Sequence, residues 1–335
     1  MDRRTDLASP YIFTLIRDME TLGILFSAVE LGLFETLRQA ELNGGADIID
    51  MMEMAKEKGC DPEAWETLLN ALWALNFIEK NKNTYRLCEI TRRIMDNPFL
   101  VNHLKLANVY TAAFKYAQRV KGEYLHVLDS DDLEVITSLG KYSAPALVAC
   151  LAELIPALKN QALSVQDIGC GQGFHLAAMA LQNPNLVCVG IDLNEDILDI
   201  AAKNIKQHRL KNVTFRREDM RTLSFDQAVD MITFFTSIRG LAKKEIMDIA
   251  QKVFQCLNPG GYWVIHDFYL EDHRLSPVEN VFFDMKLALS AQGGKVLSLS
   301  EFADLKNMGF REYRVFPLTT EHIPVTDSAF FIYRK

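Results

Sequence analysis

No two of the six cysteines stand at C-x-x-C spacing, and no Cys/His set falls at zinc-finger spacing. A redox dithiol and a structural zinc site therefore both lack their signature. Cys60, Cys88, Cys150, Cys170, Cys188 and Cys256 are scattered and read as reduced thiols, mostly filling core, in a cytoplasmic protein. No apolar run reaches the ~18 residues of a membrane span, so none is expected. The polar start, Met1-Asp2-Arg3-Arg4-Thr5-Asp6, is not followed by the apolar segment of a cleavable signal. Positive charge is not in excess: 36 Lys and Arg face 44 Asp and Glu, a net charge of −8. That argues against a protein that coats phosphate backbones, while one local positive site would still suffice for a small anion. What is present is ordinary for a globular chain, with 49% hydrophobic and 24% charged residues. At about 150 residues per domain, 335 residues predict two domains.

The first half reads as successive helices. Ile12, Leu15, Ile16, Met19, Leu22, Leu25, Phe26, Val29 and Leu33 give helical spacing from Tyr11 to Arg38, ended by Gly44-Gly45. A second helix runs from Asp47 to Lys58, and Asp61 caps a third with Pro62 at its first position. A hairpin follows over residues 77–80 and 84–87. Three helices and a hairpin are the order of a winged helix-turn-helix. DNA binding is nevertheless not expected, because Asp47 to Asn76 carries seven acids and two bases, and no Lys or Arg follows Pro62. The module is read instead as a packing or dimer surface.

From Leu163 the rhythm becomes strand, loop, helix. Strands are predicted at 163–168, 186–191, 213–216, 229–235, 262–266, 310–316 and 328–333, with Asn258-Pro259-Gly260-Gly261 as a turn. Alternation with helices predicts a mainly parallel sheet. The last pair has no crossover helix between its strands and should be antiparallel.

The sharpest motif is Asp167-Ile168-Gly169-Cys170-Gly171-Gln172-Gly173, set between a strand and a helix. A dinucleotide site wants G-x-G-x-x-G, but here the sixth position is Phe174, which disfavours an NAD-dependent dehydrogenase. Asp167 beside the loop disfavours a pyrophosphate and suits an ammonium or sulfonium. Asp192 ends the next strand 23 residues after Gly169, where a carboxylate takes ribose hydroxyls. With Gly190-Ile191-Asp192-Leu193, Glu218-Asp219-Met220 and Asn258-Pro259-Gly260-Gly261, the sequence resembles the class I S-adenosylmethionine-dependent methyltransferases. The resemblance implies a Rossmann-like seven-stranded sheet with its last strand antiparallel. It implies S-adenosylmethionine as cofactor, with Asp192 on the ribose, Asp219 on the adenine amino group and Met220 on the adenine ring. Ser143, Asp167, Gly169, Gly171, Gly173, Leu193 and Phe235 complete the expected cofactor set.

With the first half included, nearly the whole chain is similar to the small-molecule O-methyltransferases that dimerise through a helical winged-helix domain. Ala28-Val29-Glu30-Leu31-Gly32-Leu33-Phe34 and residues 68–78 carry that likeness. The expected organisation is a dimerisation domain (1–100), connecting helices lining the substrate pocket (101–155) and an S-adenosylmethionine-binding domain (156–335). The resemblance implies a homodimer acting on a small molecule, with no nucleic-acid or membrane partner.

One feature departs from the family. Its base is a histidine after the fourth strand, where this sequence has Arg239 in Thr236-Ser237-Ile238-Arg239-Gly240. A guanidinium stays protonated and cannot be a base, but it can hold a carboxylate. Asp267 matches the acid that supports the family histidine, and a second supporting glutamate falls at Val296. Candidate catalytic residues are therefore Arg239, His266 and Asp267, with Arg239 alternatively a plain ion-pair partner of Asp267. His273 and His322 are weaker candidates in loops, and His175 is read as packing. No metal is expected: His266, Asp267 and His273 offer possible ligands, but their spacing matches no ligand motif. Tyr110, Phe114, Tyr116, Phe268, Phe282, Phe283 and Leu287 could form an apolar box. Phe114, Phe283 and Asp284 are taken as substrate contacts, Asp284 from its match to a family aspartate. The function expected is methyl transfer to a small organic acceptor. Carbon or nitrogen methylation of a carboxylate or keto/enol acceptor is the alternative, and a non-catalytic cofactor-binding regulator a further one.

Overall fold

Gly32 takes a left-handed conformation, φ +64°, that a residue lacking Cβ adopts without strain. It divides the predicted first helix into α1 (Thr5–Glu30) and α2 (Leu33–Glu41), although the apolar spacing runs through it. The computed structural model describes residues 5–42, 46–122, 130–223, 227–290, 294–318 and 327–335, so Gly44-Gly45, His126 and His322 lie outside the described residues. The chain divides into two compact units, Met1–Tyr110 and Thr111–Lys335.

In the N-terminal unit, β1 (Ala46–Asp47) leads into α3 (Ile48–Glu57), where the Asp47 carboxylate accepts the Ile49 and Asp50 amides at 2.7 and 2.9 Å. Asp61 likewise caps α4 (Pro62–Ala74) through the Ala64 amide at 2.8 Å. β2 (Ile78–Asn81) and β3 (Thr84–Leu87) form the hairpin, and β1 pairs with β3. Helices α5 (Glu89–Met95), α6 (Pro98–Leu104) and α7 (Ala107–Thr111) follow. Leu33, Phe34, Leu37, Met51, Leu69 and Tyr85 form a buried core. Tyr11, Ile12, Phe13 and Leu15 on α1 are exposed.

The second unit opens with α8 (Tyr116–Val120), α9 (Ser130–Ser138), α10 (Gly140–Leu154) and α11 (Ala157–Asn160). The stretch Leu133–Leu154 is long and apolar enough to cross a membrane by length and composition alone, a test that a core helix also passes. Its Leu147, Val148, Leu151 and Ala152 are packed into the core of this unit.

The sheet elements then alternate with helices: β4 (Ser164–Ile168), α12 (Phe174–Gln182), β5 (Val187–Asp192), α13 (Glu195–Gln207), β6 (Val213–Arg217), β7 (Val229–Phe235), α14 (Lys243–Cys256) and β8 (Leu257–Phe268). After α15 (Val278–Ser290) and α16 (Leu299–Asp304) come β9 (Glu312–Leu318) and β10 (Ser328–Arg334). The order is β6-β5-β4-β7-β8-β10-β9, and β10 runs antiparallel to both neighbours. Apolar clusters cover both faces of the sheet, as parallel strands require.

The predicted turn at residues 258–261 is instead a bulged start to β8, with a register shift opposite Val229–Met231. Partners distant in sequence are the cause: the Gly260 amide donates to the Lys335 carbonyl, and the Asn258 side chain to Asp230, keeping the segment in the sheet. Strand order reverses between β4 and β7, so the ends of these strands open a crevice, the usual ligand position in such sheets.

Phe331 on β10 is fully buried and stacks on Phe302 with ring centroids 3.6 Å apart. Phe331→Ala is expected to cost about 3–5 kcal/mol, read as a lowered midpoint in urea unfolding. An unchanged midpoint would contradict this packing.

Candidate functional site

Gly169, Gly171 and Gly173 all adopt left-handed φ, +71°, +52° and +75°. Space reinforces the choice at Gly169, where a Cβ would lie 2.5 Å from the Ser237 Cβ and 3.3 Å from the Met220 Cε. The loop is tied to β5. Gly169 and Cys170 amides donate to the Ile191 carbonyl at 2.7 and 3.0 Å. The Gly171 amide donates to Asp192 Oδ2 and the Asn194 amide to Asp192 Oδ1, both at 3.0 Å.

Beside this loop lies a cavity of about 210 Å³. Five of the residues expected to hold cofactor line it: Gly169, Asp192, Leu193, Asp219 and Met220. Ser237, Gly240 and Leu241, from the loop after β7, close another side. Asp219 Oδ1 accepts the Arg221 amide at 2.9 Å, and its Oδ2 pairs with the Arg221 guanidinium at 3.1 Å. Gly171 and Gly173 shape the loop without lining the cavity. Ser143 is half-buried on α10 and Phe114 is 66% exposed, both outside that lining. A larger groove, about 550 Å³, lies in the N-terminal unit between Arg38, Met95 and Lys105 and contains none of the predicted residues.

Asp167 is wholly buried under the loop. Thr233 Oγ1 donates to its Oδ1 at 2.8 Å, and Oδ2 has no partner among the described residues. Burial pushes its pKa up from the ordinary 3.8 to about 7; the Thr233 bond opposes this, and the Asp192 charge adds to it.

The other half of the site is built on the single turn Ile238–Gly240. Arg239 Nη1 pairs with Asp267 Oδ1 at 3.2 Å. Its guanidinium lies over Phe283 and Phe268, 4.6 and 5.1 Å from the ring centroids, which is cation–π range. Asp267 also accepts the Phe268 amide at 2.9 Å, and its Oδ2 is buried with no partner among the described residues. Burial raises its pKa, and Arg239 pulls it back. One loop thus faces the cavity through Ser237, Gly240 and Leu241 and the aromatic pair through Arg239.

The histidines stand apart from this chemistry. His266 is buried, its Nε2 is 3.1 Å from the Ser328 hydroxyl, and burial drives its pKa to about 3. Such a ring is a poor proton acceptor near neutral pH. His175 stacks on Phe235 at 3.9 Å and is likewise driven to about 3 by burial. Phe235 is therefore occupied by this stack and is not part of the cavity lining. His273 sits in an exposed loop, its Nδ1 accepting the Leu275 amide. Among the described residues no metal-holding group of His, Cys, Asp and Glu occurs.

Asp284 is also engaged within the chain. Oδ2 pairs with Arg274 at 2.9 Å and Oδ1 accepts the Val296 amide at 2.6 Å. Sequence reasoning missed Arg274, which stands in no motif, as well as Thr233 and Ser237. The strand-end positions of Thr233 and Ser237 were the available signal.

Two family models match: "Methyltransferase domain" over residues 159–304 and "O-methyltransferase dimerisation domain" over residues 19–97. Among solved structures, the mitomycin 7-O-methyltransferase MmcR aligns with a TM-score of 0.79 at 17% identity, covering 99% of both chains. Human N-acetylserotonin methyltransferase in complex with SAM aligns at 0.75 and 16% identity, covering 100% of this chain and 98% of the other. At these identities the likeness is one of fold. Among curated relatives, a demethylmenaquinone methyltransferase of Lactococcus lactis is 28% identical over 30% of this chain and 39% of its own length. An N,N-dimethyltransferase of Streptomyces venezuelae acting on a dTDP-amino sugar is 27% identical over 44% and 61%. The chain thus spans only 39% to 61% of these two relatives. It carries a methyltransferase domain behind an O-methyltransferase dimerisation domain.

Because the folded pKa of Asp167 lies above its unfolded value, the folded state keeps a proton the unfolded state loses. Stability therefore falls as pH rises from about 4 to about 7 and levels above. Asp167→Asn is expected to remove this fall, so its stability relative to wild type should grow over that window in urea titrations. Parallel pH profiles for the two proteins would contradict it.

Proposed function

We propose that the chain transfers a methyl group from S-adenosylmethionine to a small organic acceptor, in the manner of an O-methyltransferase. The observation that carries this is the convergence of Gly169, Asp192, Leu193, Asp219 and Met220 on one cavity. Asp192 lines this cavity and suits a ribose diol, and Met220 offers an apolar face to a purine. Asp219, part-used by Arg221, is assigned to the adenine amino group. S-adenosylmethionine bound there would supply a methyl carbon made electrophilic by its sulfonium. The protein's task is then to hold an acceptor atom in line with that carbon and keep water out.

Arg239 has no proton-accepting form, and His266 is held neutral in the core. The pair Arg239–Asp267 therefore favours an acceptor that arrives as an anion, a carboxylate or an enolate, whose oxygen the guanidinium holds between Phe268 and Phe283. Asp267 is the remaining candidate to take a proton. Carbon is then a second site of methylation beside oxygen, because an enolate shares its charge between the oxygen that Arg239 fixes and the carbon two bonds away; a nitrogen acceptor is the further alternative. We further infer a homodimer: the exposed Tyr11, Ile12 and Phe13 of α1 offer it an apolar face, and the dimerisation-domain match supports it. The six free thiols suit a reducing, cytoplasmic setting.

An acceptor screen with methyl-labelled S-adenosylmethionine tests this reading. Arg239→Lys is expected to lower turnover by roughly 100-fold or more, since an ammonium loses the planar fork and the stacking, while cofactor affinity stays near wild type. Unchanged turnover would remove Arg239 from the mechanism.

A further inference from the structure

We propose that Asp284 is a positioning residue for Arg239, acting through Val296, Lys295 and Arg274, and not a contact to the acceptor. The family likeness places this aspartate on the pocket helix, but its carboxylate is already committed on both oxygens, to the Val296 amide at 2.6 Å and to Arg274 at 2.9 Å. Arg274 also donates to the Val296 carbonyl at 3.2 Å and reaches Glu301 at 3.5 Å. It does so from a left-handed φ of +58°, a conformation that persists only where its surroundings hold it. One residue before Val296, the Lys295 amide donates to the Arg239 carbonyl at 3.0 Å. One residue before Asp284, Phe283 lies 4.6 Å from the Arg239 guanidinium.

Asp284 therefore joins two of the structures that touch Arg239: α15, which with Asp267 and Phe268 of β8 meets its side chain, and Lys295, which binds its backbone. Without that joint, the guanidinium and its peptide could move independently. The orientation in which Arg239 meets an acceptor would no longer be fixed. This inference rests on the reading of Arg239 as the acceptor anchor.

The test uses the full chain labelled with ¹⁵N-arginine, the Arg239 Nε–H signal being assigned by its loss in Arg239→Lys. In Asp284→Ala that signal is expected to shift or broaden, and exchange of the Lys295 and Val296 amides to quicken by at least about ten-fold. Asp284→Asn keeps an oxygen for the Val296 amide and is expected to hold exchange within roughly three-fold of wild type, a rescue that a general loss of stability would not give. S-adenosylmethionine affinity of Asp284→Ala should stay within about two-fold, since the network lies outside the cofactor cavity. An unmoved Arg239 signal with wild-type Lys295 protection would overturn the proposal, as would a folded Asp284→Ala that loses cofactor binding. Arg274→Gln carries the same expectation for the Arg239 signal should Asp284→Ala fail to fold. A wild type that binds no S-adenosylmethionine, while its Arg239 signal moves on substitution of Asp284, would support the positioning role and defeat the methyl-transfer reading.

Discussion

The carboxylate of Asp192 holds the Gly171 amide at 3.0 Å, and much of the site depends on that bond. Three left-handed glycines within five residues make a segment with large conformational entropy to lose. A loop of this kind keeps one shape only if its amides are bound, and it must keep one shape if a ligand is to lie against it. Asp192 and the Ile191 carbonyl bind those amides from the neighbouring strand, so the parallel pairing of β4 and β5 sets the loop height. The same carboxylate faces the cavity. The residue that shapes the cradle is thus the one assigned to recognise what lies in it, and close fits at Gly169 against Ser237 and Met220 leave no room for a side chain.

A second constraint acts at the opposite side of the switch point. Burying a guanidinium and a carboxylate is costly, and one hydrogen-bonded contact offsets it only in part. Arg239 compensates by stacking over Phe268 and Phe283, which suits a weakly hydrated planar cation better than it would suit lysine. Asp267 compensates through the Phe268 amide and a raised pKa. The pair is poised rather than saturated, with an Asp267 oxygen that finds no partner among the described residues. That arrangement makes sense of the departure from the family histidine. Under the proposed function the site exchanges proton removal for anion binding, since an acceptor that is already charged needs no strong base.

Elements whose limits are set by local chemistry were legible in the sequence. Asp47 and Asp61 announce α3 and α4 because a capping carboxylate acts within three residues. The strand-loop-helix rhythm gave a mainly parallel sheet with an antiparallel last pair, and the spacing from Gly169 to Asp192 picked out two residues that line the cavity. What escaped was set by distant partners. Gly32 breaks α1 from α2 although Leu31 and Leu33 sustain the apolar period, because periodicity does not register a left-handed residue. Residues 258–261 remain in the sheet because of Lys335, far away in sequence. His266 looked reactive at a strand end, but its fate depends on Phe330 and Ser328 across the sheet. Asp284 falls on α15, while its engagement by Arg274 follows from a loop that no motif describes.

The measurement that tests the account most directly is calorimetric titration with S-adenosylmethionine, and separately with NAD, on wild type and Asp192→Ala. The account predicts micromolar binding of S-adenosylmethionine to wild type, weakened about ten-fold or more by Asp192→Ala, which loses both the ribose contact and the tether of the Gly171 amide. It predicts no comparable binding of NAD. Equal affinity of the two proteins for S-adenosylmethionine would contradict the central role given to Asp192, and preference for NAD would contradict the assignment of the cavity itself.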